Sequence, residues 1–169
     1  MKRKSNYLVI ALFLVYLTLL TWIILFKLQF SISDLDKIRS VNLIPFHYDK
    51  EIGAAFHFKE VLENVLIFLP MGIYLQMLLP KLQFHTKLIL IAGTSLLLET
   101  AQFVLAVGRS DITDVLTNTA GGFLGLVVYS MIARLLGNKV KTDKLLSIMA
   151  LIASVIIIGM LAFILIVNW

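Results

Sequence analysis

The sequence predicts an all-α integral membrane protein: a bundle of about five transmembrane helices, N-terminus in the cytoplasm and C-terminus outside. Three observations carry this. Of 169 residues, 60% are apolar, against about 45–50% in soluble domains, and mean hydropathy is +0.95. The apolar residues come in blocks, and a membrane helix needs roughly 20 of them in a row. No charge falls between Ser5 and Phe26, Asn64 and Pro80, Val115 and Ala133, or Leu145 and Trp169, and a fifth block, Leu88 to Gly108, carries Glu99 alone. Finally, the charges are asymmetric. In this topology the inner segments carry nine basic residues (Lys2, Arg3, Lys4, Lys81, Lys87, Arg134, Lys139, Lys141, Lys144) and the outer ones six (Lys27, Lys37, Arg39, Lys50, Lys59, Arg109). The outer loop also holds Asp34, Asp36, Asp49, Glu51 and Glu60. This follows the positive-inside rule.

Each element follows in order. Span 1 covers roughly Tyr7 to Phe26 and runs outward, with Trp22 near its outer end, where aromatic belts form. Met1-Lys2-Arg3-Lys4 before it resembles a signal peptide, but the apolar stretch exceeds a signal core of about 7–15 residues and no A-x-A site follows. It reads as a retained span. The longest polar connection, Lys27 to Glu60, is an extracytoplasmic loop of about 34 residues. Pro45 disfavours helix at Ile44, so Arg39 to Phe46 is expected to be irregular. Leu43, Ile44 and Phe46 suit a segment packed onto the bundle or into the interface. Span 2 covers about Val61 to Leu79, with Glu63 and Asn64 at its outer end and Pro70 and Gly72 in its interior. Pro70 removes the bond to the Leu66 carbonyl, which favours a kink. Spans 3 and 4 cover about Leu88 to Val107 and Val115 to Leu136. Span 5, about Leu145 to Val167, is almost purely apolar and reads as peripheral and lipid-facing. The whole chain, 1–169, reads as one integral membrane domain.

A net charge of +5 raises the question of nucleic acid, but the placement of the basic residues accounts for topology instead. The chain has no cysteine, which excludes disulfide and thiol chemistry. His47, His57 and His85 lack metal-ligand spacing, so no metal and no cofactor is expected.

The chemistry gathers on the outer half. A carboxylate inside a span costs about 2.5–3.5 kcal/mol on insertion scales and marks a functional site by default. At 1.5 Å per residue, Glu99 lies roughly 12 Å below the outer end of span 3 and Gln102 roughly 8 Å. The two share a face at i, i+3. Asp114 and Asn118 are i, i+4 on span 4, with Asn118 roughly 6 Å deep. The polar turn Gly108 to Asp114 makes spans 3 and 4 antiparallel neighbours, so their polar faces can meet, with Arg109 above and Glu63 and Asn64 entering from span 2. Each residue also has a structural reading. Asp111 and Asp114 can cap a helix, and Asn118 can join two helices. Arg109 can anchor at the interface, and Gly121, Gly122 and Gly125 suit close helix packing rather than a phosphate loop. Arg109 starts roughly 15 Å from Glu99 along the axis, so a protonated Glu99, or one hydrogen-bonded to Gln102 and Asn118, competes with a Glu99–Arg109 pair.

These motifs together resemble the VanZ-like family of membrane proteins. Arg39-x-x-Asn42-Leu43-Ile44-Pro45-Phe46 is similar to the family's N-L-I-P-F segment. Asn64-x-x-x-Phe68-x-Pro70-x-Gly72 is similar to its second-span signature. Glu99-x-x-Gln102, Gly108-Arg109 and Asp114-x-x-x-Asn118-x-x-Gly121-x-x-x-Gly125 look like its C-terminal core. The resemblance covers about residues 10–136 and leaves span 5 as an addition. It implies a multi-pass protein of the bacterial cytoplasmic membrane with a link to glycopeptide susceptibility, teicoplanin in particular.

Four functions are open at this point. The first is an envelope factor binding a lipidic or lipid-linked ligand (a membrane lipid, an envelope precursor or a glycopeptide). Arg39 and Arg109 would hold anionic groups, since guanidinium donors form a planar fork, with Asn42, Glu63, Asn64, Glu99, Gln102, Asp111, Asp114 and Asn118 as further contacts. The second is an enzyme on such a molecule with Glu99 as general base. A proton-linked small transporter and a passive scaffold are the others.

Overall fold

The computed structural model describes residues 2–26, 39–46 and 54–167. Five helices, α1 (Lys2–Phe26), α2 (Ala54–Leu78), α3 (Phe84–Leu105), α4 (Ile112–Leu136) and α5 (Lys139–Val167), are joined by two short strands, β1 (Arg39–Asn42) and β2 (Gly108–Asp111). All five helices are long and apolar enough to cross a membrane. Several begin earlier than their apolar runs. Lysine and glutamate are good helix formers, so α2 takes in Lys59 and Glu60 and α5 starts at Lys139. Likewise Lys87, assigned from the sequence to an inner loop, is a buried residue of α3 whose Nζ donates to Gln76 Oε1 of α2 at 2.5 Å.

The seam between α2 and α4 is the tightest part of the bundle. A Cβ on Gly72 would strike the Gly122 carbonyl, one on Gly121 the Val65 carbonyl, and one on Gly125 the Leu69 carbonyl. Small residues allow this backbone-to-backbone approach in membrane helices. The other face of Gly122 receives the Ile91 side chain of α3. Around the seam lies a core of Leu20, Phe68, Met71, Leu75, Ile91 and Leu126. α2 continues through Pro70. Next to Pro70, Tyr16 of α1 donates to the Ile67 carbonyl at 2.9 Å. A side chain thus enters the backbone ladder where proline weakens it.

α5 packs through Thr142, Leu146 and Ser147, while Tyr129 of α4 donates to Asp143 at 2.7 Å. Beyond Ala150 no side chain of α5 is buried, as expected of a peripheral, lipid-facing span.

The segment expected to be irregular contains a strand. β1 pairs with β2 in parallel, with Ser40 opposite Arg109 and Asn42 opposite Asp111. This ribbon lies at one end of the bundle, beside the start of α4. Local sequence does not reveal it, because its hydrogen-bonding partner is 69 residues away in Ser40–Arg109. Lys27, Asp34, Asp36, Lys37, His47, Asp49, Lys50, Glu51 and the Arg39 side chain lie outside the described residues.

Candidate functional site

The site is built where α3 ends and the chain folds back on itself. α3 stops at Leu105, and Ala106 takes a left-handed conformation (φ 54°). The Val107 amide then donates to the Gln102 carbonyl at 3.1 Å, a Schellman-type closure of the helix end. β2 does not leave the surface but descends beside α3. Gly108 and Ser110 point inward and are buried, while Arg109 points out. Ser110 Oγ donates to the Glu99 backbone carbonyl at 2.7 Å, and the Asp111 amide donates to Glu99 Oε2 at 3.0 Å. α4 therefore starts level with Glu99, deeper than a turn at the surface would put it.

Asp111 is the joint of the site. One carboxylate oxygen accepts from the Thr113 amide at 2.8 Å and caps α4. The other accepts from Asn42 Nδ2 at 2.9 Å. Asn42 Oδ1 in turn accepts from the Ile44 amide at 3.1 Å, an Asx turn. Phe46, in the left-handed region (φ 54°), donates its amide to Thr113 Oγ1 at 3.0 Å. The Asn-Leu-Ile-Pro-Phe motif is thus a strap: Asn42 ties its start to Asp111, Pro45 sits in its turn, and the Phe46 amide ties its end to α4. Asp114 Oδ1 accepts from Asn64 Nδ2 of α2 at 2.7 Å, with Thr117 Oγ1 at 3.3 Å from the same amide.

Not every expected residue joins this cluster. Gln102 is buried but donates to the Ile24 carbonyl of α1 at 2.8 Å. Asn118 donates to Ser95 Oγ at 2.9 Å. Neither bonds to Glu99. Because α4 starts at the level of Glu99, Asn118 lies a further turn or two down and faces Ser95. Glu63 is exposed and lies 3.6 Å from Lys59. Arg109 does not pair with Glu99; its Nε is 3.4 Å from Ser40 Oγ on the ribbon. Ser40, Ser95, Ser110, Thr113 and Thr117 enter the network although sequence reasoning passed over them. The hydroxyl spacing Ser110-Thr113-Thr117 along the start of α4 was the available signal.

Between the ribbon and α3 lies a pocket of about 230 Å³. Val41 and Leu43 of the strap, Leu96 and Phe103 of α3 and Val115 of α4 form its walls, with Glu99 and Asp111 also lining it. Leu96 and Phe103 are exposed on the outer face of α3, so the pocket opens sideways, onto the surface a bilayer would cover. Glu99 itself is only 5% exposed. Asp114 and Asp111 add negative charge around it. Among the described residues, no group of histidines and acids could hold a metal ion.

Residues 13–134 match the family described as VanZ/LLP1. The chain belongs to the VanZ/LLP1 family. A relative in it, Protein VanZ of Enterococcus faecium, is 37% identical over 145 residues, covering 85% of this chain and 86% of its own length. No solved structure matches. The VanZ/LLP1 match takes in most of α1, the ribbon, α2, α3 and nearly all of α4, which together supply every side chain of the site. α5 lies beyond it. With five helices of membrane-crossing length, this VanZ-family chain is a multi-pass membrane protein.

Proposed function

We propose that this protein is a cell-envelope factor of the bacterial cytoplasmic membrane that binds a lipidic or lipid-linked ligand in the Glu99 pocket. The ribbon end faces outward, and occupancy of the pocket alters susceptibility to glycopeptides such as teicoplanin. The observation that carries this reading is a buried carboxylate, Glu99, lining a mainly apolar pocket that opens sideways between α3 and the strap. A carboxylate kept at that depth against its insertion cost implies use, and an apolar wall with one or two placed polar groups is the ordinary form of a ligand site. Arg109, exposed on the ribbon and bonded to Ser40, is the cation we assign to the rim for an anionic headgroup outside the pocket.

The test uses a strain whose teicoplanin susceptibility depends on this protein. Glu99→Leu is expected to abolish the effect at unchanged membrane abundance, and Arg109→Ala to weaken it. If both variants leave susceptibility and envelope composition as in the parent, the site is not the functional one. A general-base role would use the same Glu99 carboxylate; it requires a lipid or lipid-linked product that disappears in Glu99→Gln.

A further inference from the structure

We infer that the ligand enters the pocket with a single apolar chain and meets Glu99 through a hydrogen-bond donor, a hydroxyl or an ammonium, and not through a phosphate or carboxylate. This rests on the reading of the pocket as the ligand site. The three acids around it divide their work. Both oxygens of Asp111 are taken, by the Thr113 amide and by Asn42. Asp114 accepts from Asn64. Glu99 accepts from the Asp111 amide with Oε2 alone. Its Oε1 has no hydrogen-bond donor among the described residues, although the residue is 95% buried, and it is not among the sealed polar atoms that lack a partner. That oxygen therefore opens to the pocket that Glu99 lines. An ionised carboxylate oxygen only accepts, whereas a protonated one donates; a hydroxyl suits either form, and an ammonium brings the charge that would hold Glu99 ionised beside Asp111 and Asp114.

Charge points the same way. An anion at this spot would stand against Glu99, Asp111 and Asp114 where water is scarce and like charges repel most. Among the described residues, the Arg109 guanidinium does not offset this. β2 turns Arg109 outward toward Ser40, away from the pocket wall. Size limits the occupant as well. At about 230 Å³ the pocket falls below the ~300–1,000 Å³ typical of sites that enclose a whole small molecule. It admits one chain, with the rest of the molecule left in the lipid or at the rim.

The experiment uses the full chain in lipid nanodiscs and three photoreactive probes of equal chain length: an alkyl alcohol, an alkylamine and an alkyl carboxylate. Each is crosslinked and mapped by mass spectrometry, with competition by unlabelled probe. The alcohol and the amine are expected to label the pocket walls at Val41, Leu96 or Val115 at least about tenfold more than the carboxylate, the scale of one hydrogen bond to a charged group. Glu99→Gln gives its one carbonyl to the Asp111 amide and turns an uncharged NH2 donor to the pocket, which a hydroxyl can accept from and an ammonium cannot. It should lower amine labelling about tenfold and change alcohol labelling little, whereas Glu99→Leu should remove both. Leu96→Trp, on the exposed face of α3, should block all pocket labelling while leaving the thermal midpoint unchanged. Carboxylate labelling equal to the others, or amine labelling indifferent to Glu99, overturns the donor assignment and leaves the lipid-site reading intact. Pocket labelling by none of the probes overturns both.

Discussion

The α2–α4 seam and the ribbon end of the bundle hold the chain together by opposite means. In the seam, Gly72, Gly121 and Gly125 bring two backbones into contact with no side chain between them. Its stability comes from dispersion and close packing, the forces left to membrane helices once lipid has replaced water. At the ribbon end, Asn42, Glu99, Asp111 and Thr113 span gaps with directed hydrogen bonds. Directed bonds hold groups apart as well as together, so a pocket survives there, whereas the seam brings backbone onto backbone. The seam fixes the positions of α2 and α4, and the ribbon end uses those positions to aim one carboxylate.

If this contrast is right, substitutions in the two regions fail differently. The largest effect belongs to Gly125→Val. Its added atoms would fall on the Leu69 carbonyl, and overpacking against backbone that has no room to yield should remove at least about 3 kcal/mol. It is expected to appear as loss of monodisperse protein in fluorescence-detected size exclusion. A well-behaved Gly125→Val protein would show that the seam is looser than drawn.

Next comes Asp111→Ala, which removes a helix cap and the tie to Asn42 together, about 2–3 kcal/mol in sum. The expected result is a lowered thermal midpoint in a protein that still folds. Asn42→Ala should be milder, about 1 kcal/mol. Its effect is local: hydrogen exchange should rise at the Ile44 and Phe46 amides and stay unchanged along α2 and α4. Exchange that rises throughout would mean that strap and seam unfold as one unit.

The smallest effect on stability is expected at Glu99. Glu99→Gln keeps the carbonyl that the Asp111 amide needs and should shift stability by less than about 1 kcal/mol. It should nevertheless alter labelling of the pocket by the amine probe. A residue whose loss is felt in function and hardly in folding is the mark of a site, whereas the seam glycines should show the reverse.

Some of this was legible in the chain. A bilayer has a fixed thickness, so uncharged blocks of the right length name the spans directly. Pro70 and the glycines at 72, 121 and 125 also mark close packing by composition. Pairing was much less legible. Helical spacing puts Gln102 on the face of Glu99, but it does not say which neighbour that face meets. α1 comes against it, and Gln102 spends its donor on the Ile24 carbonyl. Asn118 was expected opposite Glu99 and lies opposite Ser95 instead.

The sequence by itself determined that this is a membrane bundle of five helices with a carboxylate buried near one end, because hydropathy and insertion cost are properties of each segment alone. Only the tertiary structure decided what that carboxylate faces. The closure of α3 at Ala106 and the pairing of β1 with β2 send the chain down beside α3. This starts α4 at the level of Glu99, deeper than a surface loop would. That offset delivers the Asp111 amide to Glu99 and leaves its other oxygen to the pocket. Hydrogen-bond partners across 69 residues, as for Asn42 and Asp111, depend on where whole helices come to rest, and no local pattern encodes that.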